Sequence, residues 1–345
     1  MNIAFFISDH GFGHIMRNLA VMKEAVKCGH QVFLVTGERH ILLARQYLGD
    51  EFIFIPMHTD GGLIVKPGTL NIDVEATKEM AVRYAGEFPD RIMFAKKVFA
   101  DYAIDKVVVD IVPWALTAAK EAGLPSYLMA SFTWLEQYEW FLDKEILSVF
   151  EKAFCDADKV LMYELANRPT RERYVDHMDV GFIARPFDIG KAEKIRSMHR
   201  QPIVFLSLGG SNSGLDFDID VSGLPYDFIS TEGLRLKGDN VTFLPFNVEN
   251  TQDYIKAADY CISKAGWASV AELMLSGNKA ALLTRPDVPE DSMIIEELLK
   301  RDEILAVSVE ELKDIGSVIK RMETKLWKQT SYKNNYKRAA DIICG

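Results

Sequence analysis

The sequence predicts an α/β protein built from two doubly wound domains, and three observations carry that expectation. Short apolar runs alternate with helical patterns through both halves of the chain. In each half the first such run ends in a glycine-bearing loop, Ser8 to Arg17 in one and Leu208 to Gly214 in the other. At 345 residues the chain exceeds one ordinary core and suits two domains of about 100 to 200 residues each.

In the first half, Ile3 to Ser8, Gln31 to Thr36, Phe52 to Pro56, Lys106 to Val109, Ser126 to Met129 and Lys159 to Met162 read as strands. Amphipathic helices are expected from Asn18 to Lys27 and from Val74 to Tyr102, with a short buried one from Trp114 to Gly123. Continuously apolar strands that alternate with helices indicate a parallel sheet covered on both faces. The pattern breaks at Gly181 to Pro186, and a charged helical fragment, Lys191 to Arg200, reads as a linker ending at Pro202. A second set of strands follows at Ile203 to Leu208, Tyr226 to Ser230, Val241 to Leu244, Tyr260 to Ser263, Ala280 to Thr284 and Ile304 to Val307. The expected divisions are therefore 1–185, 201–312 and a closing helical stretch, 313–345, in which Lys325 to Arg338 reads as a helix with Trp327 buried and its lysines solvated.

Composition narrows the function classes. Hydrophobic content of 48% and charged content of 26% are those of a globular protein. A net charge of −10 argues against a general nucleic-acid binder, because a phosphate backbone repels that sign. Cys28, Cys155, Cys261 and Cys344 show neither C-x-x-C spacing nor neighbouring histidine clusters, so neither a zinc site nor a disulfide framework is indicated. The start of the chain has no basic n-region, and no apolar run approaches the ~20 residues of a membrane-spanning helix; a cytoplasmic protein is expected, with no peripheral membrane contact indicated.

The loop Ser8-Asp-His-Gly-Phe-Gly-His-Ile-Met-Arg17 is the most informative stretch, since α/β enzymes hold ligands where a strand's carboxyl end passes into a helix. Gly11 and Gly13 permit close backbone approach, and His14 exchanges protons near neutral pH without help from a shifted pKa. A dinucleotide fingerprint is the rival reading, supported by Glu38 after the second strand, but Met16 stands where the third glycine belongs and His14 and Arg17 would crowd a pyrophosphate. A histidine that merely caps the helix explains neither the paired glycines nor Arg17. In the second half, Ser263-Lys-Ala-Gly-Trp-Ala-Ser-Val-Ala-Glu-Leu273 repeats the logic: a strand ends, Gly266 turns the chain, and a helix starts whose free N–H groups can hold a diphosphate. Glu272 lies about two turns into that helix, where a carboxylate can grip a vicinal diol such as a ribose.

These motifs resemble those of glycosyltransferases of the GT-B fold, in which two doubly wound Rossmann-like domains face an interdomain cleft. Gly13-His14, the Gly209-Gly210-Ser211 loop and the Ser263 to Leu273 segment are similar to the corresponding elements of the N-acetylglucosaminyltransferase that forms lipid II. The His-Gly-Phe-Gly-His-x-x-Arg form, with Val109-Asp-Ile-Val-Pro113 and Ser131-Phe-Thr-Trp134, more closely resembles the glycosyltransferase-like N-terminal domain of plant L-arabinokinases. A Gly-Phe-Gly-His-Ile-x-Arg loop is also similar to that of the nucleotide-sugar hydrolase of pseudaminic acid synthesis.

The resemblance implies an inverting, metal-independent transfer from a UDP-sugar, with His14 as general base and Asp110 orienting it. It implies that Gly13, Arg17, Gly209, Gly210, Ser211, Ser263, Lys264, Gly266 and Ser269 contact the nucleotide sugar, with Glu272 on the ribose and the backbone near Phe246 on a uracil. The transferase group's Asp-x-Gln-Gln is replaced by Pro286-Asp-Val-Pro-Glu-Asp-Ser-Met293, which leaves Glu290 and Asp291 as candidates there and the sugar undefined. It also implies that the closing helices cross back to the first domain. No cofactor or metal is expected, and the run Asp216 to Asp220 reads as solvated surface. The aromatic segment Phe132 to Phe141 reads as core packing. The partners implied are the donor and an acceptor that is a carbohydrate, a lipid-linked sugar or a small molecule. Hydrolysis or epimerisation of the same donor, and a non-catalytic module that binds it, remain open beside transfer.

Overall fold

The computed structural model describes all residues except 68, 70, 209–214, 216, 232–233, 246–247, 286–287 and 329–330. Gly209, Gly210, Ser211 and Phe246, all expected at the nucleotide, lie outside the described residues. The chain forms two compact units. One comprises Met1–Ile64, Ile72–Ile183 and Asn334–Gly345, the other Val65–Asn71 and Ala184–Lys333.

The N-terminal unit runs β1 (Asn2–Ile7), α1 (Gly13–Lys27), β2 (Gln31–Thr36), α2 (Glu38–Leu48), β3 (Ile53–Pro56), α3 (Val74–Gly86), α4 (Phe88–Asp101), β4 (Lys106–Asp110), α5 (Pro113–Ala122), β5 (Ser126–Ala130), α6 (Trp134–Tyr138), α7 (Lys144–Phe154), β6 (Lys159–Tyr163), α8 (Arg168–Arg173) and β7 (His177–Gly181). Its seven strands are parallel in the order β3-β2-β1-β4-β5-β6-β7. β4 and β5 are buried along their whole length, as the apolar runs require of a sheet covered on both faces. One face packs Ala4, Phe6, Phe33 and Val35 against Trp114, Phe99 and Phe150. Phe6 meets Phe99 and Trp114 edge-on, at centroid distances of 5.8 and 5.6 Å.

Several expectations change here. Val74 to Tyr102 is two helices that meet at Glu87, because Pro89 has no N–H to donate and its ring clashes with the carbonyl four residues back, favouring a new first turn. β7 was not expected, since His177-Met-Asp-Val-Gly181 has little apolar character. Phe132 to Phe141 packs inward as expected, with Trp134 and Tyr138 stacked at 5.2 Å, although Trp140 is exposed.

The C-terminal unit opens with α9 (Ile189–Ser197), so the stretch read as a linker belongs to this unit, where it packs on α10. It continues with β8 (Ile203–Ser207), β9 (Ile219–Asp220), β10 (Asp227–Thr231), β11 (Leu236–Lys237), β12 (Val241–Leu244), α10 (Thr251–Ala257), β13 (Tyr260–Lys264), α11 (Trp267–Ser276), β14 (Lys279–Leu283), α12 (Pro289–Lys300), β15 (Leu305–Val307) and α13 (Ile315–Thr324). Six strands form a parallel sheet, β12-β10-β8-β13-β14-β15, while β9 and β11 make a separate pair. Lys325 to Arg338 is not one helix. Described residues from Lys325 to Asn335 are non-helical, Trp327 is half-buried, and α14 (Tyr336–Cys344) starts only after Asn334-Asn335, whose side chains compete for backbone hydrogen bonds. α14 packs on α1 in the N-terminal unit, whereas α13 stays with the C-terminal unit.

Candidate functional site

In an open parallel sheet the strand order reverses at one point, and the loops leaving the two strands there part to form a crevice. In the N-terminal unit those strands are β1 and β4. β1 leads into α1, which carries His14 and Arg17, and β4 ends in Asp110. Gly11, at a φ of +67°, takes the left-handed turn that brings the chain into the helix. Residues 96 apart in sequence thus meet: His14 Nδ1 lies 2.8 Å from Asp110 Oδ1.

Arg17 and Asn18 hold the Asp110 carboxylate that fixes the imidazole. Arg17 Nε donates to Asp110 Oδ2 at 2.7 Å, Arg17 Nη2 donates to Oδ1, and Asn18 Nδ2 donates to Oδ2 at 2.6 Å. A bare Nδ1 lone pair would repel a carboxylate oxygen at 2.8 Å, so the imidazole proton sits on Nδ1. Arg17 Nη2, 2.9 Å from the same nitrogen, is then a neighbouring cation and not its donor. Nε2 is left with its lone pair and makes no hydrogen bond among the described residues. Burial and then the Arg17 charge lower the His14 pKa, and Asp110 opposes them. Burial would raise the Asp110 carboxyl, but Arg17 and His14 outweigh it and hold the carboxyl well below the usual range. The result is a neutral imidazole, held by an ionised carboxylate, with one basic nitrogen available.

Arg17, expected on the nucleotide, differs. It is buried, stands over the Tyr163 ring at 4.6 Å and is committed to Asp110. Gly13 is the first residue of α1, whose N-cap, Phe12, makes no side-chain capping hydrogen bond. Beside the dyad, Phe132 meets the His14 ring edge-on at 6.0 Å.

A second polar cluster occupies the same carboxyl edge. Asp9 Oδ2 holds His58 Nδ1 at 2.6 Å, and the His58 side chain is exposed. That bond raises the His58 pKa. Asp60, fully buried, accepts from Ser8 Oγ and from Trp134 Nε1 at 2.9 Å, and burial pushes its pKa up to about 7. Gly62, at a φ of +73°, leaves room for the His10 ring, which a Cβ there would strike at 2.0 Å.

In the C-terminal unit the order reverses between β8 and β13. β13 ends in Ser263 and Lys264, and Gly266, the N-cap of α11, has no side chain with which to cap the helix. Ser263 is buried and Ser269 half-buried. Burial and the Arg285 charge lower the Lys264 pKa to about 8. Asp291, expected on the donor, is instead fully buried, where its Oδ2 takes Arg285 Nε at 2.6 Å; Glu290 precedes it in the first turn of α12. Glu272 is buried on α11, and its Oε1 accepts from Arg185 Nε at 3.0 Å and Nη2 at 2.8 Å. Arg185 also donates to Glu249 O and Thr251 Oγ1, both at 2.8 Å. Lys264, Arg285 and the start of α11 thus gather positive charge at the reversal point, the kind of surroundings that suit a diphosphate.

Asn18, Asp60, Arg185 and Arg285 escaped the sequence reading. Arg285 had a usable signal, its place just past a strand end like Lys264; Arg185 fell in the stretch read as a break. Among the described residues no group of three or more His, Cys, Asp or Glu is arranged to hold a metal ion, and no helix is long and apolar enough to cross a membrane.

Residues 222–343 match the model of the glycosyltransferase family 28 C-terminal domain. Among solved structures, Arabidopsis thaliana UGT89C1 complexed with UDP superposes with a TM-score of 0.60 at 13% identity, covering 99% of both chains. MurG of Acinetobacter baumannii gives 0.59 at 14% identity, covering 99% of this chain and 98% of that one. The chain has the GT-B fold. This GT-B chain is also 24% identical to L-arabinokinase of Arabidopsis thaliana over 293 residues, 79% of its length but only 27% of the plant protein. It thus spans about a quarter of that relative. An uncharacterized glycosyltransferase of Methanosarcina acetivorans is 27% identical over 321 residues, 83% of this chain and 80% of that protein.

Proposed function

We propose that this GT-B protein is an inverting glycosyltransferase that moves a sugar from a nucleoside diphosphate, UDP by similarity, to an acceptor hydroxyl. The observation that carries this reading is the His14–Asp110 pair, which leaves Nε2 as a neutral base at the reversal point of the first sheet. Nε2 takes the hydroxyl proton as the oxygen attacks the anomeric carbon from the face opposite the diphosphate. The imidazolium so formed is stabilised by Asp110, which stays ionised. The bond to the diphosphate breaks, and its charge falls to the α11 N–H groups, Lys264 and Arg285. Oε2 of Glu272 makes no hydrogen bond among the described residues and takes the ribose diol, while Arg185 holds Oε1. Helix starts and side-chain cations supply the charge stabilisation in this reading, with no metal assigned.

The deciding experiment follows free UDP from a panel of UDP-sugars with and without candidate acceptors. Transfer requires release that depends on the acceptor. Release without one would make the protein a hydrolase, a changed sugar without release an epimerase, and neither a binding module.

Two further results are expected. Because the base works deprotonated and its pKa lies below the ordinary histidine value, kcat/KM is flat at neutral pH and falls about tenfold per pH unit only below pH ~6.5. A limb centred above pH 7 would assign the base elsewhere. Replacing Glu272 by Gln keeps an oxygen for Arg185 but removes the charge on the ribose, and weakens UDP by about 1–3 kcal/mol in calorimetry. An unchanged affinity would place the nucleotide away from α11.

A further inference from the structure

α1 and α14 run side by side in the same direction, and their C-terminal ends meet at the amino edge of the first sheet. Three observations fix this. α14 starts at the carboxyl edge, where Asn335 N donates to Phe182 O at 2.9 Å just past the end of β7. It ends at the amino edge, where Lys106, the first residue of β4, donates from Nζ to Ile343 O. α1 leaves the carboxyl edge after β1 and likewise finishes at the amino edge, where Cys28 is its C-cap before β2. Cys344 is the last residue of α14, which packs along α1, so the two helix ends bring Cys28 and Cys344 together, near enough for the Cys28 sulfur to act on the Cys344 thiol. Cys28 is exposed and Cys344 half-buried, and neither is otherwise used.

We propose that Cys28 and Cys344 are a reversible dithiol–disulfide pair, whose oxidation staples the returning C-terminal helix to the helix that carries His14. The oxidant is a small disulfide such as oxidised glutathione. The exposed Cys28 thiolate attacks it, forming a mixed disulfide and expelling one glutathione thiolate. The Cys344 thiolate then attacks the Cys28 sulfur, forming the intramolecular bond and expelling the second glutathione. Two protein thiols lose two electrons and two protons, and one glutathione disulfide gains them. This order follows from the surroundings: burial, the neighbouring Cys28 and Asp341 push the Cys344 thiol up to about 11 against the Lys106 charge, so it is the slower, resolving partner. Cys155, on the end of α7, and the buried Cys261 serve as internal controls. The pair acts from the edge opposite His14, so it tethers the returning chain without touching the dyad.

The test oxidises the full chain with glutathione disulfide at pH 8.5, blocks remaining thiols with a maleimide under native and then denaturing conditions, and measures intact mass and peptides. The expected result is a loss of two maleimide additions and of two hydrogens, with a peptide joining residues 28 and 344 that dithiothreitol separates. A Cys155→Ser, Cys261→Ser variant should behave identically. Cys344→Ser should stop at a stable glutathione adduct on Cys28. The proposal is overturned if wild type retains the adduct as Cys344→Ser does, or if both thiols still take maleimide after oxidation.

Discussion

His14→Ala should lower kcat by about 100- to 10,000-fold while leaving UDP affinity within a factor of about two, because general-base catalysis supplies a factor of that size and the nucleotide contacts proposed above lie on other residues. The low-pH limb of the rate profile should vanish with it, since the group that titrates has gone. Stability should fall by only about 1–3 kcal/mol, because the buried ring's hydrogen bond to Asp110 goes while Arg17 and Asn18 still hold that carboxylate. Turnover retained alongside a lowered melting temperature would reduce His14 to a packing residue and leave the transferase reading on the second unit alone.

Asp110→Asn is expected to cost more stability than any other single change at the site, about 3–5 kcal/mol, because it strands the Arg17 guanidinium without its counter-charge where almost no water reaches. Activity should fall with it, since an asparagine can turn its amide toward Nδ1 and so favour the tautomer with the proton on Nε2. Chemical denaturation measures the first effect. Adding Arg17→Met should recover part of the loss, because the buried cation leaves as well; no recovery would mean that Asp110 is held by something other than charge. Since the Asp110 pKa is depressed in the folded protein, its contribution is fully present above the unfolded carboxylate value, near 4, and is lost as pH falls through the folded value.

The sheets were legible because their central strands, such as β1, β4 and β5, are buried on both faces and announce themselves as unbroken apolar runs; β7, with His177 and Asp179 in five residues, does not. His14 was legible because two glycines and a strand end frame it. What Arg17 does was not. A charged residue at a loop reads as facing a ligand, and only the fold brings it to a carboxylate 93 residues away. Asp60 was hidden for the same reason, as its partners Ser8 and Trp134 come from two other loops. The break at Glu87 could have been read from Gly86 and Pro89, which helical periodicity alone overlooks.

The hydrogen bonds that aim the His14 ring come from α1 and β4, and none described for His14 or Asp110 involves residues 57–64. Ser8 nevertheless joins the two, its N–H donating to Asp110 O at 3.1 Å and its hydroxyl to Asp60, and Phe132 lies edge-on to both His14 and Trp134. The 57–64 segment is thus no detachable appendage: a change at Asp60 is passed on through a single serine to the residue whose carboxylate aims the imidazole, so the two parts of this edge must vary in concert.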